Sequence, residues 1–257
     1  SRHLSRILQV DPDASFAVVE PGVVQAQLQA ATRPLGLRFG PDPSTHNRCT
    51  LGGMVGNNAC GSRALAYGRT SDNVLGLDVV TGAGARLTLD NRAGPSPVAD
   101  GLLSSLKELV TGDLATIRAE LGRFGRQVSG YSLEHLLPER GFDVARALVG
   151  SEGTLALILG ATVRLVPDPP LRCLVVLGYP TMADAADATP GLLTHGPTAC
   201  EGLDSRIVEQ VRRSYSAPVP DLPRGGGWLI VELAGDNPDE LAHRANQVVQ
   251  DAGAVDA

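Results

Sequence analysis

Between Pro41 and Gly61 the chain reads Pro-Asp-Pro-Ser-Thr-His-Asn-Arg-Cys-Thr-Leu-Gly-Gly-Met-Val-Gly-Asn-Asn-Ala-Cys-Gly, and no other stretch limits the fold as strongly. Two prolines mark its entry, and four glycines fall within its last ten residues. Glycine lets backbone approach a ligand closely, while Ser44, Thr50, Asn57 and Asn58 supply neutral hydrogen bonds. A loop of this kind can present many N–H donors to a phosphate without a lysine. The functional reading is an anion or nucleotide cradle. The plain alternative is a long glycine-rich turn with no ligand.

Two familiar phosphate patterns come near and fail. Gly56 to Arg63 has the two glycines of a P-loop, but Ser62 stands where the lysine must be, which removes the β/γ-phosphate contact. Gly52-Gly53-Met54-Val55-Gly56 lacks the G-x-G start and has no apolar strand running into it, so it is a poor Rossmann fingerprint.

The longer pattern is more specific. Pro41-Asp42-Pro43-Ser44, Thr50-Leu51-Gly52-Gly53, Asn58-Ala59-Cys60-Gly61, Tyr67-Gly68 and Asp78-Val79-Val80 occur in that order. The series resembles the FAD-binding domain of the vanillyl-alcohol oxidase/PCMH flavoproteins. Within them it is most similar to the glycolate oxidase D subunit, D-lactate dehydrogenase and D-2-hydroxyglutarate dehydrogenase branch. Gly150-Ser151-Glu152-Gly153-Thr154-Leu155, entering an apolar strand, resembles that family's second FAD signature. The resemblance covers essentially the whole chain.

Composition excludes several other classes. With 257 residues the chain can bury a sizeable core. Its 43% hydrophobic and 19% charged content is that of an ordinary globular protein. A formal charge of −6, with Lys and Arg scattered, offers no basic patch for nucleic acid. No apolar run reaches the roughly 18 residues of a membrane span. Cys49, Cys60, Cys173 and Cys200 include no C-x-x-C, so they indicate neither zinc nor an iron–sulfur cluster. They read as reduced thiols of a cytoplasmic protein.

In chain order, Phe16–Glu20 reads as a strand, and Val23–Arg33 as a helix with Val24, Leu28 and Ala31 on one face. Arg63–Thr70 continues the cradle as a loop or short helix. Val74–Thr81 and Arg86–Leu89 are strands joined by the glycine turn Gly82-Ala83-Gly84. Asn91–Ala99 reads as a surface loop. Helices follow around Leu102–Val110 and Ile117–Leu121. His135, on a leucine-rich turn, reads as a packing or surface residue. From Leu155 to Val166 alternation puts Leu155, Leu157, Leu159, Ala161, Val163 and Leu165 on one buried face. Pro167-Asp168-Pro169-Pro170 marks a domain boundary.

Beyond it come a strand at Cys173–Leu177 and a helix at Met182–Leu193 interrupted by Pro190-Gly191. A short strand at Ala199–Glu201, a helix at Ser205–Arg213, a strand at Trp228–Leu233 and a helix at Pro238–Asp251 complete the order. The expected fold is α+β: a PCMH-type FAD-binding subdomain over residues 1–170, then the start of a ferredoxin-like α+β cap over 171–257. In the resembled family a subdomain carrying a Gly-rich pyrophosphate loop precedes this point. The chain therefore reads as a fragment, inactive by itself.

The resemblance implies FAD as cofactor and oxidation of a 2-hydroxy acid by hydride transfer to flavin N5. Carried over, the Pro41, Asp42, Pro43, Ser44 and Thr50, Leu51, Gly52, Gly53 backbones would lie along the pyrophosphate and the flavin edge. Asn57, Asn58, Ala59 and Gly61 would hold the ribityl–isoalloxazine side. Glu152, Gly153 and Ile158 would line the adenine or ribose end. Tyr67-Gly68 is read as closing over the ligand, with an ordinary packing aromatic as the alternative. The family's metal ligands and substrate-gripping arginine lie further toward the C-terminus, so no metal and no catalytic base is assigned. Implied partners are a small 2-hydroxy acid and an electron acceptor, with an iron–sulfur domain or subunit as one candidate. The competing reading is a non-catalytic scaffold or partner subunit of the same fold.

Overall fold

The computed structural model describes residues 3–90, 100–214 and 220–257, which fall into two compact units, Ser1–Asp168 and Pro169–Ala257. The 91–99 loop read from the sequence lies outside the described residues.

In the first unit β1 (Ile7–Asp11) and β2 (Phe16–Val19) form an antiparallel hairpin, followed by α1 (Gln25–Thr32). The buried face of α1 is Gln25, Leu28 and Thr32, not Val24, Leu28 and Ala31; Ala31 is exposed. Hydrogen bonds explain the rotation. The Gln25 amide donates to the Pro41 carbonyl at 3.0 Å, and the Thr32 hydroxyl donates to the Leu28 carbonyl at 3.1 Å, so each polar side chain enters the interior with a partner.

Next come β3 (Leu37–Phe39), α2 (Leu51–Asn57), α3 (Ala64–Tyr67) and α4 (Thr70–Asn73). The strands β4 (Val74–Thr81) and β5 (Arg86–Asp90) make the glycine-turn hairpin, with Gly84 at φ +83°. Then α5 (Asp100–Gly112), α6 (Leu114–Glu120) and α7 (Val144–Leu148) lead to β6 (Ala156–Pro167). The sheet runs β1-β2-β6-β4-β5, and β3 pairs with the last residues of β6.

Only half of β6 keeps the expected face. Ala161, Val163 and Leu165 are at most 3% exposed, but Leu157 is 66% and Leu155 44% exposed. Asp78 faces Gly160 while Val79 faces Ile158, so Leu159 is one residue too many on β6. A one-residue bulge turns the side chains on one side of it over to the opposite face. Ala156 and Ile158 therefore pack inward in place of the leucines. That core joins Val19, Phe39, Leu77 and Val163 to Leu28 of α1 and to Leu51, Met54 and Val55 of α2. Burying each such leucine contributes roughly 1.5–3 kcal/mol relative to leaving it exposed.

The second unit consists of β7 (Leu171–Tyr179), α8 (Met182–Leu193), β8 (Ala199–Asp204), α9 (Ser205–Ser214), β9 (Gly227–Gly235) and α10 (Pro238–Asp251). Its antiparallel sheet runs β7-β9-β8. Ala185 and Leu192 of α8 and Leu241 and Val248 of α10 pack on Val175, Leu177, Leu229, Val231 and Leu233. Apart from the inserted α9, this is the β-α-β-β-α order of a ferredoxin-like layer. Pro190 does not interrupt α8. It stands in the last turn, where it costs one i→i−4 bond, to the Ala186 carbonyl, without stopping the helix, and the Thr181–Asp184 capping box secures the other end.

Candidate functional site

The cradle is organised by α2, a helix where the sequence reads as a continuous turn. Thr50 caps it, its Oγ1 accepting from the Gly53 N–H at 3.2 Å, and Leu51, Met54 and Val55 bury one face. Threonine followed by apolar residues at i, i+3 and i+4 is the signal that marks this helix. The Pro21-Gly22 turn closes its start: Leu51 N–H donates to the Val23 carbonyl and Gly52 N–H to the Pro21 carbonyl, both at 2.8 Å. A Cβ on Gly52 would lie 2.5 Å from Pro21 Cβ. Gly53 differs. It is exposed, and a Cβ there would meet only Thr50 Oγ1, at 3.2 Å.

Pro41 and Asp42 are tied to the far side of the cradle. Asp42 accepts from the Arg63 N–H at 3.2 Å and pairs with its guanidinium at 3.0 Å. Gly61 sits so close that a Cβ would be 2.3 Å from the Asp42 carbonyl oxygen. Buried Arg38 lies 3.5 Å from Asp168 and 3.9 Å from Asp42, with its guanidinium 5.5 Å from the centre of the Tyr67 ring. Burial, and next the charge of Arg63, hold the Arg38 pKa below the usual arginine range. Tyr67 packs against Gly40, where a Cβ would come within 2.7 Å, and its carbonyl accepts from the Asn73 amide at 2.7 Å. Gly68 turns the chain at φ +77°.

At the other end of α2, Asn58 takes a left-handed φ of +47° and is 1% exposed. Its Oδ1 accepts from the Ser71 N–H at 3.0 Å, and its buried Nδ2 has no hydrogen-bond partner. The Ala59 carbonyl accepts from the Thr70 hydroxyl at 2.6 Å. The second glycine signature docks here. Gly150 N–H donates to the Val55 carbonyl and Glu152 N–H to the Gly56 carbonyl, each at 2.9 Å. Glu152 (φ +52°) and Gly153 (φ +74°) are exposed.

Thus Pro41–Asp42, Thr50–Gly53, Asn57–Gly61, Tyr67–Gly68 and Glu152–Gly153 gather around one short helix. Ser44 and Asn57 lie exposed at its rim, Pro43 is half-buried, and Ile158 packs into the core beneath.

The donors are not where a glycine-rich turn suggests. Leu51, Gly52 and Gly53 spend their N–H groups on Val23, Pro21 and Thr50. The N–H groups of Cys60, Gly61 and Ser62 make no hydrogen bond among the described residues. Beside them, Arg126 donates to Cys60 Sγ at 3.3 Å. Gln25, Arg38, Arg63 and Arg126, which shape the cradle, were missed in the sequence. The visible sign was one charge, Arg38, inside the apolar Leu37–Phe39 run.

Below the cradle lies a buried polar group. His135 is 5% exposed, and its Nε2 has no hydrogen-bond partner, with Glu134 Oε1 3.9 Å away. Burial holds the His135 pKa below its usual value, and Arg69 and Arg146 add to that while Glu134 and Asp143 oppose it. An unfolded histidine binds its proton near pH 6.5, which the folded one resists. The stability present above that pH is therefore lost as pH falls below it, by at most about 1.4 kcal/mol per pH unit from this group. Urea midpoints should drop between about pH 7.5 and pH 5.5, and less so in His135→Gln. An unchanged slope in that variant would assign the effect elsewhere.

Residues 1–90 match the family described as FAD binding domain, and residues 168–257 match FAD linked oxidases, C-terminal domain. The chain thus carries a match to a FAD binding domain followed by a match to the C-terminal domain of FAD linked oxidases. The chain is 33% identical to D-2-hydroxyglutarate dehydrogenase of Pantoea ananatis, over 96% of the chain and 26% of that protein. It is 31% identical to glycolate oxidase subunit GlcD of Bacillus subtilis (97% and 44%) and 31% to D-lactate dehydrogenase of Archaeoglobus fulgidus (97% and 46%). It spans about a quarter to under a half of the length of these relatives. Alkyldihydroxyacetonephosphate synthase shares the fold, with a TM-score of 0.66 at 17% identity, over 100% of this chain and 43% of that one. The family's cofactor is FAD. Among the described residues no helix is long and apolar enough to cross a membrane.

Proposed function

We propose that the full-length protein carrying this chain oxidises a small 2-hydroxy acid, of the kind named for its relatives, with FAD bound across the α2 cradle. The observation that carries the reading is the run of N–H groups at Cys60–Ser62 that meet no acceptor among the described residues, just past the end of the α2 helix whose first turn holds exposed Gly53. Bare backbone with open donors suits a flat, polar-edged cofactor, and a side chain at Gly53 would occupy that space. Bound FAD would supply the hydride acceptor for C2 of the acid.

The chain's own residues bind and position. Pro41–Ser44 and Thr50–Gly53 lie along the diphosphate and flavin edge, with Gly53 giving close approach. Asn57, Asn58, Ala59 and Gly61 hold the ribityl–isoalloxazine side through the Cys60–Ser62 donors and the Asn58 amide. Glu152, Gly153 and Ile158 take the adenine or ribose end, and Tyr67-Gly68 bounds the loop. The Asp42–Arg63 pair keeps the two walls of the cradle together. Residues 1–170 serve as the PCMH-type FAD-binding part and residues 171–257 as the start of the cap. Electrons pass on to a separate acceptor, an iron–sulfur domain or subunit being the candidate, and the free thiols of Cys49, Cys60, Cys173 and Cys200 suit a cytoplasmic setting.

The purified full-length protein should be yellow, absorb near 450 nm, and reduce a redox dye with at least one of D-2-hydroxyglutarate, glycolate and D-lactate. Bound FAD without reduction by any of the three would overturn the substrate class. A colourless protein that takes up no added FAD would favour the scaffold reading.

A further inference from the structure

After α6 the chain reads Gly-Arg-Phe-Gly-Arg-Gln-Val-Ser-Gly over residues 122–130, and none of the nine is buried. Phe124 is 68% exposed and Val128 39%. A left-handed glycine stands at each end, Gly122 at φ +65° and Gly130 at φ +77°. Between them the Gln127 N–H donates to the Phe124 carbonyl at 3.1 Å. Apart from that turn, the backbone outside Arg126 makes no backbone–backbone hydrogen bond among the described residues. Side chains hold the segment instead. Buried Arg69, paired with Asp72 at 3.1 Å, donates to the Gln127 carbonyl at 2.5 Å. Arg126 donates to Cys60 Sγ at 3.3 Å. Just past Gly130, Tyr131 Oη and Thr154 Oγ1 lie 2.9 Å apart. The segment therefore runs from the Cys60–Ser62 donors to the second glycine signature.

We propose that residues 122–130 are a strap that closes on the molecule bound in the cradle, and that Arg126 is the side chain with which it grips. On binding, the Arg126 guanidinium leaves the Cys60 sulfur for an oxygen of the ligand beside the open Cys60–Ser62 N–H groups. The proposal rests on the reading that FAD lies across the α2 cradle.

The way the segment is held carries the argument. An exposed stretch with few backbone bonds opens at low cost while the rest of the unit stays folded. Its end glycines can absorb the change in φ and ψ that a hinge needs. The grip at Arg126 is also exchangeable. A thiol sulfur is a weak acceptor, whereas an electron-rich oxygen makes a charge-assisted bond with a guanidinium. One guanidinium beside three N–H groups that meet no acceptor among the described residues forms a site for such an oxygen. Arg38, Arg63 and Arg69 are set in the walls of the cradle, and Arg126 stands exposed. Closure against a flat ring system also covers Phe124 and Val128, which are otherwise in water.

The test uses the full-length protein, stripped of flavin and then loaded with FAD. Amide exchange across residues 122–130, read by mass spectrometry, should slow at least about 10-fold on loading. Arg126→Met should bind FAD at least about 10-fold more weakly and, once saturated, leave that exchange fast. Arg126→Lys keeps the charge and should recover most of the slowing. Because Arg126 is exposed, the flavin-free Arg126→Met protein should melt with wild type. Exchange that FAD does not change, slowing that Arg126→Met leaves intact, or FAD affinity equal to wild type in that variant would overturn the strap and leave the cradle standing. A wild-type protein that takes up no FAD would remove both.

Discussion

Gly53→Val is expected to abolish FAD binding by the full-length protein while leaving its melting temperature within a few degrees of wild type. The two halves of that statement come from one geometric fact: a Cβ at Gly53 meets only Thr50 Oγ1 within 4 Å, so the added side chain projects into the open cradle. Valine in a helix costs no more than glycine does, so the helix itself loses little. What is lost is close approach. At least a 100-fold rise in the FAD dissociation constant corresponds to about 2.7 kcal/mol. Gly52→Val is the contrast, since its Cβ would strike Pro21 and should damage the fold first. A Gly53→Val protein that purified with its full complement of FAD would remove the cradle assignment.

Gly61→Val should act on stability and ligand together. Its Cβ would sit 2.3 Å from the Asp42 carbonyl oxygen and 2.5 Å from Oδ1, and neither wall can yield without parting the Asp42–Arg63 pair. Overpacking of this kind costs roughly 1–3 kcal/mol. For a unit of this size each kcal/mol lowers the melting temperature by about 2–4 °C. Calorimetry should therefore show a fall of up to roughly 12 °C, with FAD lost from whatever folds. Wild-type melting and full FAD content would mean that the two walls are not held as the structure shows.

Much of this was legible in the sequence, and the failures have specific causes. Period-2 and period-3.6 patterns found the β4–β5 hairpin, α10 and most of α8 and β7 because those elements bury one regular face. They failed on β6, where the apolar alternation runs unbroken through Leu159 but the pairing does not. A bulge is set by the partner strand, so no pattern within β6 reveals it. They failed again on α2, where three glycines masked a helix that its cap and its i, i+3, i+4 spacing announce. At the candidate site the ordered glycine signatures drew attention to segments that do come together. Which N–H groups remain open depends on Pro21 and Val23, some 30 residues earlier, and that was not visible.

The pairing of β2 with β6 also has a consequence in time. Phe16 meets Arg164 and Val19 meets Ala161, so the two strands are separated by about 145 residues of chain. At about 5–20 residues per second, the ribosome delivers β6 roughly 7–30 s after β2. Through that interval the β1–β2 hairpin holds Ala17 and Val19, fully buried in the finished unit, with no sheet to cover them. The α2 segment waits equally, since its docking partners Gly150 and Glu152 are made just before β6. Long-range pairing of this kind slows folding and prolongs exposure to aggregation. The first unit must therefore be completed from its last strand backward, and the cradle with it.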